Sequence, residues 1–165
     1  MKRRTKWLTV LAGAAAVTIA ALTGAMAYAG SAQPAAAPAA DVNLSRNHPV
    51  VSSSDGACCA AKNAVDGNSA TRWASRANVD PSWIYVDLGT TATIHRVRLQ
   101  WDKSCATSYR VEVSSDAMTW NPVFSTTTGK GGVEDLTSIQ GTGRFVRMFG
   151  IKRCRADATD RKSVV

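Results

Sequence analysis

The chain has 165 residues, 45% of them hydrophobic, with 20 Lys and Arg against 12 Asp and Glu for a formal net charge of +8. Four of the basic residues, Lys2, Arg3, Arg4 and Lys6, crowd the first six positions, so the remainder carries 16 basic against 12 acidic residues, a net +4. Those 16 are scattered with no run or stripe, which excludes the concentrated basic footprint that nucleic-acid binding requires.

The basic start is followed by a mildly apolar run from Trp7 to about Ala27, and Ala27-Tyr28-Ala29 has the small-residue form that signal peptidase cuts. Charged start, apolar middle and small-residue exit predict a secretory signal peptide over 1–29 and a secreted, extracellular chain. The competing reading is an uncleaved anchor, but the Ala, Thr and Gly content makes this run a weak membrane span. Residues 30–41 open with "GSAQPAAAPAA" and contain nothing that could pack a core, so they read as an Ala/Pro-rich linker. From residue 42 onward about 120 residues remain, one domain by size.

Cys58, Cys59, Cys105 and Cys154 all follow the signal. An even number of cysteines in an exported chain favours disulfides over free thiols, and no C-x-x-C spacing offers a zinc site. Three pairings are open to four cysteines. A vicinal Cys58–Cys59 bridge would strain the peptide between them, so the expectation is that each reaches one of Cys105 and Cys154.

Strand signals then follow one another. "WIYVDLG" places Ile84, Val86 and Leu88 on one face, and "TIHRVRLQW" puts Val97, Leu99 and Trp101 inward with Arg96 and Arg98 outward. "SYRVEVSS" alternates Tyr109, Val111 and Val113, and "WNPVFSTTT" and "GRFVRMFG" complete the series with Val146 and Met148 in phase. Turns are expected at Gly89-Thr90, Asp116-Ala117, Gly129–Gly132 and Gly141-Thr142-Gly143. Short strands at close spacing, without helical periodicity, predict an all-β chain: an antiparallel β-sandwich of jelly-roll type.

Six blocks, "NLSRNHPVVSSS", "AKNAVDGNSATRWAS", "WIYVDLG", "VRLQW", "YRVEVSSDAMTW" and "GTGRFVRMFG", occur in the order of the coagulation factor V/VIII type C, or discoidin-like, family. The resemblance is greatest to bacterial family 32 carbohydrate-binding modules and covers residues 42–159. It implies a galactose-binding-like sandwich of a larger and a smaller sheet, with ligand loops gathered at one end. It also implies a monomeric module that binds a polysaccharide or glycan and meets the membrane only through its signal segment.

The turn "AVDGNSATRWAS" holds a single carboxylate, Asp66, beside Gly67, Asn68 and Thr71. It cannot match an EF-hand loop, which brings several carboxylates and a bidentate glutamate. Backbone carbonyls of Asn63 and Asn68, the Asp66 carboxylate and the Thr71 oxygens could still hold a structural Ca2+. The residues alone weigh this evenly against an Asx turn without metal; the resemblance implies the calcium. Family members also run on past "RCRADAT" into a strand of the form Gly-Tyr-Ser-Leu-x-Glu-Phe, which supplies a further calcium ligand and a tyrosine. This chain ends instead in "DRKSVV", Asp160–Val165, the in-frame translation of a widely used sequencing adapter up to its stop codon. The expectation is therefore a C-terminally truncated module over 42–159, lacking its last strand, with adapter read-through at 160–165.

On that fold the ligand loops are 52–61, 75–82, 102–108 and 151–159. Planar Arg, Asn and Asp groups bond pairs of sugar hydroxyls, which makes Arg76, Asn78, Asp80, Asp102, Arg153 and Arg155 the candidate ligand-binding residues. Trp73, Trp83, Trp101 and Trp120 are assigned to packing, so an aromatic platform is missing. Arg96, Arg98, Arg144 and Arg147 read as a solvated sheet face. No catalytic constellation is evident in the sequence: it offers no obvious catalytic partner for His48 or His95, and Glu134-Asp135 reads as part of an isolated turn. The expected function is a secreted, non-catalytic carbohydrate-binding module, the N-terminal targeting part of a larger glycan-active enzyme. The alternative is a discoidin-like module that binds a protein or cell-surface partner. Membrane docking ranks lower, because only Val79 would project as an apolar tip.

Overall fold

The structure, a computed structural model, describes residues 42–155. The expected signal, the linker and the last ten residues lie outside that range. Seven strands are present: β1 Val50–Ser52, β2 Ser82–Ile94, β3 Val97–Gln100, β4 Ala106–Ser114, β5 Asn121–Thr126, β6 Val133–Leu136 and β7 Gly141–Arg153. One short 3-10 turn, Ala61–Ala64, precedes β2. The larger sheet runs β1-β2-β7-β4-β5, and β3 pairs with β6 in the smaller one. Every pairing is antiparallel. The expected all-β sandwich of unequal sheets is thus the observed fold.

The core follows the period-2 alternation of the strands. Ile84, Val86 and Leu88 of β2, Tyr109, Val111 and Val113 of β4, and Val146 and Met148 of β7 all face inward and are buried. Val97 and Leu99 of β3 meet them from the smaller sheet, and Trp73 and Trp101 close the ends of the same cluster.

Three local expectations are corrected and one holds. Gly89-Thr90 is no hairpin turn: β2 runs through it, and the register to β7 shifts between Asp87 and Ala92, with Gly89 at φ +75°. A bulge takes up one unpaired stretch where a turn would reverse the chain, and glycine makes the positive φ cheap. Gly141-Thr142-Gly143 likewise opens β7, where Gly143 lies so close to Ser114 that a Cβ would meet its carbonyl oxygen at 2.7 Å. Glu134 and Asp135 belong to strand β6. The Asp116-Ala117 turn does form, with Asp116 accepting hydrogen bonds from the backbone N–H groups of Met118 and Thr119.

The second correction concerns the arginines and tryptophans. The outer face of the larger sheet is a layer of aromatic rings and guanidinium groups. Trp83 stacks on Tyr85 with centroids 5.7 Å apart, and Tyr85 meets Trp120 and Phe145. Arg147 lies 4.0 Å over the Trp120 ring, Arg110 covers Phe149 and Arg144 covers Phe145. Trp83 and Trp120 are therefore half-buried on this outer layer and not in the central core. Arg147 is a packed member of it, its side chain 15% exposed, while Arg144 stays exposed as expected; a planar cation can lie flat on a ring while bonding a carboxylate at its edge. Arg96, at the smaller sheet, bonds Asp135 through two nitrogens.

The disulfides also differ from the expectation. Cys105 bonds Cys154, and Cys58 bonds its neighbour Cys59. The register decides the first pair: Ala106 faces Arg153 across β4 and β7, so one step outward places Cys105 opposite Cys154. With that pair closed, Cys58 and Cys59 sit in a tight turn bridged by Gly56 and Cys59.

Candidate functional site

Strand ends define the site. Ser52 of β1, Ser82 of β2, Ala106 of β4 and Arg153 of β7 are neighbours by register, so the loops that follow or precede them emerge at one end. Three of the candidate residues are brought together there. Arg153 donates through Nε to Asp80 at 2.9 Å and through its NH1 nitrogen to the Asn78 side-chain oxygen at 2.7 Å. The loop that carries Asn78 and Asp80 turns sharply, with Asn78 at φ 60° and a cis peptide at Asp80-Pro81. Asparagine is among the few residues that tolerate that φ. The result is a fixed row of donors and acceptors at the surface.

The other candidates are placed separately. Arg76 is anchored by its backbone N–H, which donates to the Ser54 hydroxyl, and its side chain is exposed. Asp102 pairs with Arg72 at 3.2 Å. Arg155 is exposed beyond the end of β7. A hydroxyl-rich groove lined by Ser108, Arg110, Ser125, Thr126, Thr128 and Ile151 opens nearby at the β4–β5 edge, and no sequence motif had marked it.

Glu134 is the residue that sequence reading missed. Its Oε2 accepts hydrogen bonds from both Trp101 Nε1 and Tyr109 Oη at 2.7 Å, while its Oε1 accepts the Lys130 N–H at 2.8 Å. Burial pushes the Tyr109 hydroxyl pKa up, and the Glu134 hydrogen bond adds to the shift. One carboxylate therefore ties the floor of the loop end, made by Trp101 and Tyr109, to the loop over 129–132. The available signal was the alternation of β6, which needs its neighbour β3 to be recognised.

In the turn that carries Asp66, its Oδ1 accepts the Asn68 N–H at 2.8 Å, an Asx turn. Thr71 Oγ1 lies 2.6 Å from Asp66 Oδ2 and 2.9 Å from the Asn68 carbonyl oxygen. The Asn63 side chain donates to the Arg72 carbonyl, which fixes the turn's exit. Among the described residues no group of three or more His, Cys, Asp and Glu could hold a metal. A cation here would rest on Asp66 and neutral oxygens, the hard donors that Ca2+ takes, in place of the Thr71 hydrogen bonds that now join them.

A family model of the F5/F8 type C class, described as a NedA-like, galactose-binding domain, matches residues 63–148, more than half of the chain. The chain belongs to this family. Among solved structures it is similar to chitosan-binding module 1 of a chitosanase/glucanase from Paenibacillus sp. IK-5. That likeness has 42% identity and a TM-score of 0.68, and covers 74% of this chain and 94% of the other. Module 2 of the same enzyme, solved with chitotriose, is 38% identical with a TM-score of 0.68, covering 74% of this chain and 100% of that one. Among curated proteins, a polysaccharide lyase 8 family protein, HylA, from Enterococcus faecalis is 35% identical over 92 residues, 54% of this chain. The match spans only 7% of the length of that lyase. This F5/F8 type C domain therefore shares its fold with modules derived from a chitosanase/glucanase.

Proposed function

We propose that this domain is a secreted, non-catalytic carbohydrate-binding module that holds a glycan at the loop end of the sandwich. The observation that carries the reading is the Arg153–Asp80–Asn78 row at the loop end of an F5/F8 type C fold. Planar groups fixed against one another can offer their remaining donors and acceptors to sugar hydroxyls. Arg76, Asp102 and Arg155 add separate polar groups in the candidate loops, and among the described residues no nucleophile–base pair accompanies the row.

The likeness to modules of chitosanase/glucanase and lyase chains supports a tethering role, in which the module keeps an attached glycan-active enzyme near an insoluble substrate. Tethering raises the effective concentration of the catalytic domain without contributing chemistry. Calcium at Asp66, Asn68, Thr71 and Asn63 would brace the turn that leads into Arg72 and Trp73, and so hold the loop end in shape. When bound, the ion supplies cross-linking between backbone and side-chain oxygens and takes no part in any reaction.

The test is titration of the oxidised domain with chitotriose, cellotriose, laminaritriose and galactose, with pull-down on insoluble chitosan and β-glucan. Saturable binding to one class, weakened at least tenfold by Arg153→Ala, is the expected result. A folded domain that binds none of these sugars overturns the reading.

A further inference from the structure

We propose that the Cys58–Cys59 disulfide is itself the apolar sugar-contacting platform of this module. The inference rests on the carbohydrate-binding reading and deepens it. A sugar site needs a flat apolar surface for the C–H face of a pyranose as well as polar groups for its hydroxyls. In this domain the aromatic side chains are committed elsewhere. Trp73, Trp101 and Tyr109 are buried, and Trp83, Tyr85, Trp120, Phe145 and Phe149 form the outer layer of the larger sheet. Among the described residues no exposed aromatic ring stands in the candidate ligand loops.

The vicinal disulfide occupies the place where such a ring is wanted. Cys58 is exposed and Cys59 is 5% exposed, so the bridge has one side on the core and the other toward solvent. Its turn is zipped onto the chain segment that leads to Arg76. Gly56 N–H donates to the Ala74 carbonyl at 2.7 Å, Ala74 N–H to the Cys59 carbonyl at 3.1 Å, and Arg76 N–H to the Ser54 hydroxyl at 2.9 Å. The approach is close: a Cβ at Gly56 would meet the Ala74 carbonyl oxygen at 3.3 Å. The exposed Cys58 and the Arg76 side chain thus leave one hydrogen-bonded unit.

The chemistry suits the role. Two side chains and the peptide between them close into a ring with no free rotamers, so contact with a ligand orders nothing further. Sulfur is soft and polarizable, and a flat sulfur surface against several C–H groups gains dispersion energy as an aromatic face does. Loop-closure entropy gives this bridge little structural purpose, because it joins neighbours in sequence.

The experiment compares the oxidised wild-type domain with Cys58→Ser/Cys59→Ala, which keeps an apolar side chain at the buried position. The probe is whichever oligosaccharide of the panel above the wild type binds most tightly. Affinity at least tenfold weaker, with an unchanged far-UV spectrum, is expected. Should the variant fold poorly, amide shifts of the wild type on titration decide the matter: Ala57, Cys58 and Cys59 should move with the same saturation curve as Arg76. Affinity within twofold of wild type in a folded variant, or unmoved amides at Ala57–Cys59 while other loops respond, overturns the inference alone. A wild type that binds no probe overturns the carbohydrate reading and this inference with it.

Discussion

Arg147 holds the Glu112 carboxylate at 2.6 Å, with the Glu112 side chain only 4% exposed. Arg110 approaches the other carboxylate oxygen at 3.1 Å from its more exposed position. A buried carboxylate stripped of its inner partner is left with an uncompensated charge, which costs far more than the pair itself contributes.

Arg147→Ala should therefore destabilise the domain by about 3 kcal/mol, at the low end for broken buried pairs because Arg110 remains. It also removes the cation from the Trp120 ring. The double variant Arg147→Met/Glu112→Leu should recover most of that loss, since apolar residues of similar volume replace a buried pair at little cost. Urea denaturation of the three proteins checks this. A single variant as stable as wild type would show that the pair is idle.

Glu134→Ala leaves the Trp101 N–H and the Tyr109 hydroxyl without their acceptor, at about 1–3 kcal/mol for each buried group. The pH dependence carries a sign. The Tyr109 pKa is raised in the folded state, so its contribution is complete below the ordinary tyrosine value of 10.0 and is lost as pH rises beyond it. Melting temperature should fall above that pH more steeply in wild type than in Tyr109→Phe. Parallel alkaline melting curves would contradict the assignment.

The two disulfides should differ sharply in what they contribute to stability. Cys105–Cys154 closes a separation of 49 residues, worth about 4 kcal/mol by loop-closure entropy, whereas Cys58–Cys59 closes a separation of 1. Cys105→Ala/Cys154→Ala should lower the melting temperature by well over 10 °C at roughly 4 °C per kcal/mol. Scanning calorimetry under non-reducing conditions measures both pairs.

Calcium at millimolar concentration should raise the melting temperature of the wild type. The expected stabilisation is roughly 2–3 kcal/mol if the ion reaches about a hundred times its dissociation constant. Asp66→Ala should abolish the rise, because it removes the sole carboxylate of the turn. Gly67→Ala should destabilise the turn with or without the ion, since its φ of +74° is one that L side chains rarely adopt. Equal calcium responses in wild type and Asp66→Ala would remove the site.

The strands that pack the core were legible because each alternates on its own: Ile84-Val86-Leu88 and Tyr109-Val111-Val113 announce a face without reference to any partner. The features that were misread depend on partners. Gly89 resembles a turn until β7 is laid beside β2, and Cys105 has no evident mate until the register sets it against Cys154. Glu134 looked isolated because Trp101 and Tyr109 reach it from 33 and 25 residues away. Of the ligand residues, composition could suggest Arg, Asn and Asp in loops. That Arg153 selects Asp80 and Asn78, while Asp102 turns to Arg72, is a property of the assembled loop end.

The order β1-β2-β7-β4-β5 puts the last described strand in the middle of the larger sheet. Neither β2 nor β4 can find its inner neighbour until Gly141–Arg153 has left the ribosome, so the half-made chain holds the pairs β1-β2, β3-β6 and β4-β5 without the strand that joins the larger sheet. Domains whose decisive contacts are so distant in sequence fold late and slowly. For a protein proposed to leave the cell, that delay is useful: it keeps the chain threadable during synthesis and postpones folding, with oxidation of Cys105 and Cys154, to the far side of the membrane.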